Sequence, residues 1–187
     1  MVDFSEVLQK RRSIRDYQDK QVPLELLHSI IRDSCLAPSS GNGQPWRFSI
    51  VSDKEWMRKL SDEGKKNLLA ILEKNPDSPL KKYESELGNP DFNVFYNAPC
   101  LVYIVGSKST RTLHVDCSLA ACYFMLAATA RGLGTCWVNL GRDIRDLALR
   151  TKLGLTDDME IVAPIIVGYP KNISSPVRNE PQIIKVI

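Results

Sequence analysis

Ala37-Pro38-Ser39-Ser40-Gly41-Asn42-Gly43-Gln44-Pro45-Trp46 joins two segments of different periodicity. Before it, Leu26, Leu27, Ile30 and Ile31 recur at helical spacing, in a helix that Pro23 can start and Pro38 must follow. After it, Trp46, Phe48 and Ile50 alternate with Arg47 and Ser49, the pattern of a half-buried strand. A simple turn needs two or three Pro, Ser, Gly or Asn residues. Here every residue from 38 to 45 is Pro, Ser, Gly, Asn or Gln. The excess predicts a loop whose short side chains and backbone approach a ligand closely.

Outward from this loop, residues 3–12 place Phe4, Val7, Leu8 and Arg11 at helical spacing. Downstream, Asp53 caps a helix carrying Trp56, Met57 and Leu60, and a further helix holds Leu68, Leu69 and Leu72. Residues 75–93 contain three prolines and little periodicity, and read as an exposed excursion or lid. Pro99 to Val105 has the length and apolar character of a buried strand. Asp116 precedes a helix that is apolar on every side and stops at Gly132. In a small protein a second subunit is the simplest cover for such a helix. Thr135–Val138 and Ile161–Val167 read as buried strands, with a helix between them beginning near Asp143. The tail Ile183–Ile187 has strand character. The elements do not alternate strictly, so the fold class is α+β, in a single domain spanning 1–187.

Composition narrows the functions. A net charge of +3 argues against nucleic acid or an anionic membrane as partner, and no run approaches the roughly 20 apolar residues of a membrane span. The N-terminus lacks the basic-then-apolar order of a secretion signal. Five scattered cysteines fit reduced thiols in the cytoplasm better than a disulfide framework. With them, His28 and His114 assemble no metal site. Gly132-Leu133-Gly134-Thr135-Cys136-Trp137 fails as a dinucleotide fingerprint, because Trp137 stands at the third glycine and a helix precedes the segment instead of a strand.

Arg11-Arg12-Ser13-Ile14-Arg15 brings three guanidinium groups within five residues, and Arg11 and Arg15 share a face if the first helix continues. Alone, a solvated basic helix end explains such a cluster as well as a ligand does. Followed by the polar loop, it suggests a ligand with a phosphate at one end and a hydrogen-bonding ring at the other. RRSIR followed by APSSGNGQPW resembles the nitroreductase family of FMN-dependent oxidoreductases.

That resemblance implies a sandwich with a central mixed or antiparallel sheet flanked by helices, built as an obligate homodimer with FMN at the subunit interface. Arg11, Arg12, Ser13 and Arg15 match residues that contact the phosphate, ribityl chain and pyrimidine edge, with Arg15 approaching N1 and O2. Pro38, Ser39, Ser40, Asn42 and Gln44 match a loop that reaches the flavin bound mainly by the other subunit. A backbone N–H near Trp137, Val138 or Asn139 would donate to N5; the Trp137 side chain is either a core filler or a wall of the ring site. Arg178 matches a phosphate-contacting arginine, although Pro176 replaces the lysine that many members carry two residues earlier. Lys65, Lys66 and Asn67 lie where a further family contact falls, without a secure match. The implied reaction passes hydride from NAD(P)H through flavin N5 to a nitroaromatic, quinone or similar small-molecule acceptor, with no catalytic residue from the protein. Dehalogenation, azoline dehydrogenation, flavin breakdown and non-catalytic redox sensing remain alternatives on the same scaffold.

Overall fold

The computed structural model describes residues 3–173 and 177–187. Four strands form one antiparallel sheet: β1 (Arg47–Val51), β2 (Cys100–Ser107), β3 (Gly134–Trp137) and β4 (Met159–Gly168), in the order β1-β2-β4-β3. The helices are α1 (Phe4–Lys10), α2 (Leu24–Ser34), α3 (Lys54–Lys74), α4 (Glu84–Gly88), α5 (Leu113–Ala130) and α6 (Leu147–Lys152).

The apolar run of β2 is buried on both faces, and its alternation serves two cores. Leu101, Tyr103 and Val105 join α3 and the segment around Phe95, whereas Cys100, Val102 and Ile104 join α2 and α5. Between Ile104 and Val105 the pairing with β4 shifts register, leaving Val162 as the extra residue. Pro164 lies in the central strand β4, where a proline ordinarily disrupts pairing. Its carbonyl accepts the Val138 N–H at 2.8 Å, so its missing donor also faces the end of β3. The ladder stops there, and the Val138 carbonyl instead accepts from Gly141 at 3.0 Å, opening a 3-10 turn.

Several expectations need correction. The two helices expected after Asp53 are one 21-residue helix, capped as expected by Asp53. The polar run 61–67 breaks the hydrophobic pattern but not the helix, because its buried groups are bonded. Ser61 Oγ accepts from the Val94 N–H at 3.0 Å, and Glu63 Oε1 accepts from Asn67 at 2.8 Å and from the Asp146 N–H at 3.1 Å. The helix expected from Asp143 begins at Leu147, because Asp146 caps it while the Asp143 carboxylate is engaged by Arg145. Residues 183–187 pair with no strand, and Ile183, Ile184, Val186 and Ile187 are exposed.

The first helix ends at Lys10, so Arg11 and Arg15 do not share a helical face. Residues 75–93 are mostly exposed but pinned to α3: Leu87 is buried, and Lys65 Nζ donates to the Asn89 and Phe92 carbonyls at 2.8 and 2.9 Å. Helix α5 is long and apolar enough by composition to cross a membrane, contrary to the sequence expectation. Its Asp116, Cys117, Ala120, Ala121, Phe124 and Ala128 pack into the protein, as a core helix does. The opposite side leaves Val115 63% and Tyr123 40% exposed, with Leu119 between them.

Candidate functional site

Beyond Lys10 the arginine segment runs along the open edge of β3. Ser13 bridges Thr135 in parallel, and the Ile14 N–H donates to the Thr135 carbonyl at 2.9 Å. Gly134 makes this approach feasible, since a Cβ there would sit 2.6 Å from Ile14 Cγ1. Further along, Tyr17 bridges Pro170, and its hydroxyl donates to the Ile14 carbonyl at 2.7 Å. The backbone is thus fixed at both ends while Ser13 and Arg15 stay exposed and Arg11 and Arg12 half-buried.

Among the described residues no carboxylate forms an ion pair with Arg11 or Arg15. Arg15 instead lies 5.5 Å from the centre of the Tyr96 ring. Tyr96 meets Phe92 edge to face, and both Tyr96 and Asn97 adopt positive φ, a strained conformation for side-chain-bearing residues. Burial pushes the Cys136 thiol up, opposed by the positive charge of Arg15, by Ser13 and by Arg11.

Strand alternation then sorts the residues expected to line the ring. Val138 donates inward to β4, so Thr135 and Trp137 present their N–H and carbonyl groups to the outer edge, where the Thr135 carbonyl already receives Ile14. The Trp137 N–H and the exposed Asn139 at the start of the 3-10 turn are therefore the available donors, whereas the Val138 N–H is taken. The Trp137 side chain is half-buried and packs on the α5 side of the sheet. Thr135 Oγ1 is buried without a hydrogen-bond partner among the described residues.

The polar loop is built differently. It makes a 3-10 turn over Ser40–Asn42 with Gly41, Asn42 and Gln44 all at positive φ. The Gln44 N–H donates to Ser39 Oγ at 3.0 Å, and the Gln44 amide donates to Asn42 Oδ1 at 3.0 Å. Asp116, in the first turn of α5, accepts the Ser40 N–H at 3.0 Å.

One chain does not bring these two regions together. Thr135 pairs with Val167 and Val167 with Cys100, whereas Arg47, just after the loop, pairs with Val105. Between Thr135 and Arg47 the offset is five residues along β2 and three strand spacings across the sheet, a diagonal of about 22 Å, and the strip and the loop lie outside these two points. Arg178 lies in the exposed tail, and Pro176 lies outside the described residues. Lys65 and Asn67 are committed within the fold: Lys65 to the carbonyls noted above, Asn67 to Glu63 and the Asp143 carbonyl. Lys66 is exposed beside Glu63.

Sequence reasoning missed Asp116 and Tyr96. Asp116 reads in the sequence as a helix-start residue, and its link to Ser40 spans 76 residues. Tyr96 stands beside the prolines and charges of the excursion, without a periodic pattern to mark it.

The profile of the nitroreductase family matches residues 8–169. A putative NADH dehydrogenase/NAD(P)H nitroreductase of Archaeoglobus fulgidus is 30% identical, the match covering 92% of this chain and 88% of that protein. Human iodotyrosine deiodinase 1 is 29% identical, over 90% of this chain and 61% of the human protein. Among solved structures, a Bacteroides fragilis nitroreductase with bound FMN superposes with a TM-score of 0.84 at 23% identity, covering all of both chains. The chain belongs to the nitroreductase family and is a nitroreductase-like flavin oxidoreductase.

Proposed function

We propose that this nitroreductase-family chain is a cytoplasmic homodimeric FMN oxidoreductase whose sites are shared between subunits. In each site one subunit supplies Arg11, Arg12, Ser13 and Arg15, and the other supplies Pro38, Ser39, Ser40, Asn42 and Gln44. The observation that carries this reading is the diagonal separation: both regions have ligand-binding chemistry, and a single chain holds the strand residues beside them, Thr135 and Arg47, about 22 Å apart. The uncovered face of α5, with Val115, Leu119 and Tyr123, offers the apolar surface a partner would bury. All five cysteines are free thiols, as a reducing compartment allows.

FMN fits the residues present. The guanidinium groups of Arg11 and Arg15 are free of carboxylates and suit a phosphate and an electron-rich ring edge. When bound, FMN supplies the redox chemistry, accepting hydride from NAD(P)H and delivering electrons to a nitroaromatic or quinone. Arg11 and Arg12 hold the phosphate. Arg15, steadied by Tyr96, adds positive charge at the pyrimidine side, which favours the negative charge of the reduced ring. The Trp137 N–H faces the same sheet edge and can donate to the ring. The loop's hydroxyl and amide groups complete the polar contacts from across the interface, and Arg178 adds a further phosphate donor from the tail.

A second reading, reductive dehalogenation, is favoured by the match to human iodotyrosine deiodinase 1. The test is direct. The purified protein should be yellow and release FMN, and not FAD, on heating. Consumption of NAD(P)H with a quinone or nitroaromatic supports the first activity, and halide release from a halotyrosine under reducing conditions supports the second. A colourless protein that takes up no FMN would contradict both.

A further inference from the structure

We infer that Asp116 is a positioning residue that shapes the Ser39–Gln44 loop for the flavin site of the opposite subunit, an inference that rests on the shared site proposed above. Asp116 is only 3% exposed, and both its carboxylate oxygens are engaged. Oδ1 accepts the Ser40 N–H at 3.0 Å, and Oδ2 accepts the Thr112 hydroxyl at 2.7 Å. The loop needs such an anchor. Three of its residues hold positive φ, and one of them, Gln44, carries a side chain that makes this conformation unfavourable, whereas Gly41 and Asn42 tolerate it. Among the described residues its other hydrogen bonds are internal, from Gln44 to Ser39 and Asn42, from Asn42 to Ser39 and from Gly43 to Ser40, so they set its local shape but not its place on the protein. The Asp116 contact ties that shape to α5, the helix whose far side is uncovered. Docking of a partner on α5 and presentation of the loop thereby share one rigid element.

The chemistry separates geometry from charge. In Asp116→Asn the amide oxygen still accepts from Ser40, and the amide NH2 can donate to Thr112, whose hydroxyl accepts as readily as it donates. Asp116→Ala loses both bonds. The expected result is FMN binding about tenfold weaker in Asp116→Ala but within about threefold of the original in Asp116→Asn, with Thr112→Val falling between them. Because the loop serves the partner's site, verified mixed dimers of Asp116→Ala with Arg11→Ala/Arg15→Ala should bind one tight FMN per dimer. Mixed dimers of Asp116→Ala with Ser40→Ala/Asn42→Ala should bind none tightly, since every site then meets an altered loop.

Equal losses in Asp116→Asn and Asp116→Ala would overturn the positioning role. So would failure of the first mixed dimer while the pairing of Arg11→Ala/Arg15→Ala with Ser40→Ala/Asn42→Ala regains one tight site. If that reference pairing also regains none, the shared site falls and this inference with it. Should Asp116→Ala not fold, unchanged FMN affinity in Thr112→Val overturns the inference by itself.

Discussion

The arginine strip and the polar loop hold hydrogen-bonding side chains of different charge by opposite means. The strip is laid on a sheet edge: a backbone hydrogen bond to Thr135, a glycine that lets Ile14 approach, and the Tyr17 bridge fix it before any ligand arrives. The loop has no such ladder: internal hydrogen bonds shape its three positive-φ residues, and among the described residues one buried carboxylate ties that shape to α5. On the proposed reading, the strip is a pre-formed anion cradle complete within one chain. On the same reading, the loop is a presented surface that needs a second chain to give it a target, with α5 setting its position.

The largest effect should come from removing that second chain. Leu119→Arg combined with Tyr123→Glu places charges on the exposed face of α5 while leaving its buried face intact. Light scattering should then report a particle near 21.1 kDa, with flavin binding lost along with the dimer. A folded monomer that retains FMN at full affinity would erase the distinction between the two regions. Next in size, Arg11→Ala should weaken FMN binding by about 1.5–3 kcal/mol, the scale of charge-assisted hydrogen bonds. The loss should shrink at high salt. Ser40→Ala/Asn42→Ala, which alters neutral contacts, should show little salt dependence. Titrations at two ionic strengths would separate the two modes.

Smaller changes probe the foundation of the strip. Gly134→Ala forces a Cβ against Ile14 and should cost about 1–3 kcal/mol of stability by overpacking, measured by denaturant titration. Thr135→Val removes a buried hydroxyl that has no partner among the described residues, so stability should be unchanged or higher by about 1 kcal/mol. A clear loss of FMN affinity in this variant would show that the hydroxyl is used when the cofactor binds.

The strip and the loop were both visible in the sequence because their residue types are unusual in combination: clustered arginines, and a run of turn-forming residues longer than a turn needs. The strands were visible too, since β2 and β4 are near-continuous apolar runs. The run 61–67 concealed the middle of α3, because its buried face is polar and satisfied by distant partners such as Val94 and Asp146, which periodicity cannot register. Asp116 and Tyr96 stayed hidden for a related reason. Their roles come from contacts far along the chain, Ser40 for one and Arg15 for the other, and neither lies in a local pattern that distinguishes it.

The shared site itself is tested most directly by complementation. Arg11→Ala/Arg15→Ala and Ser40→Ala/Asn42→Ala should each be inactive as pure dimers. Mixed randomly, half the dimers contain both chains, and each of these has one site with both defects and one with neither. About a quarter of the original NAD(P)H-dependent activity should return if the sites act independently. No recovery in verified mixed dimers would contradict the account, because it would mean that the arginine strip and the loop serve the same site from the same chain.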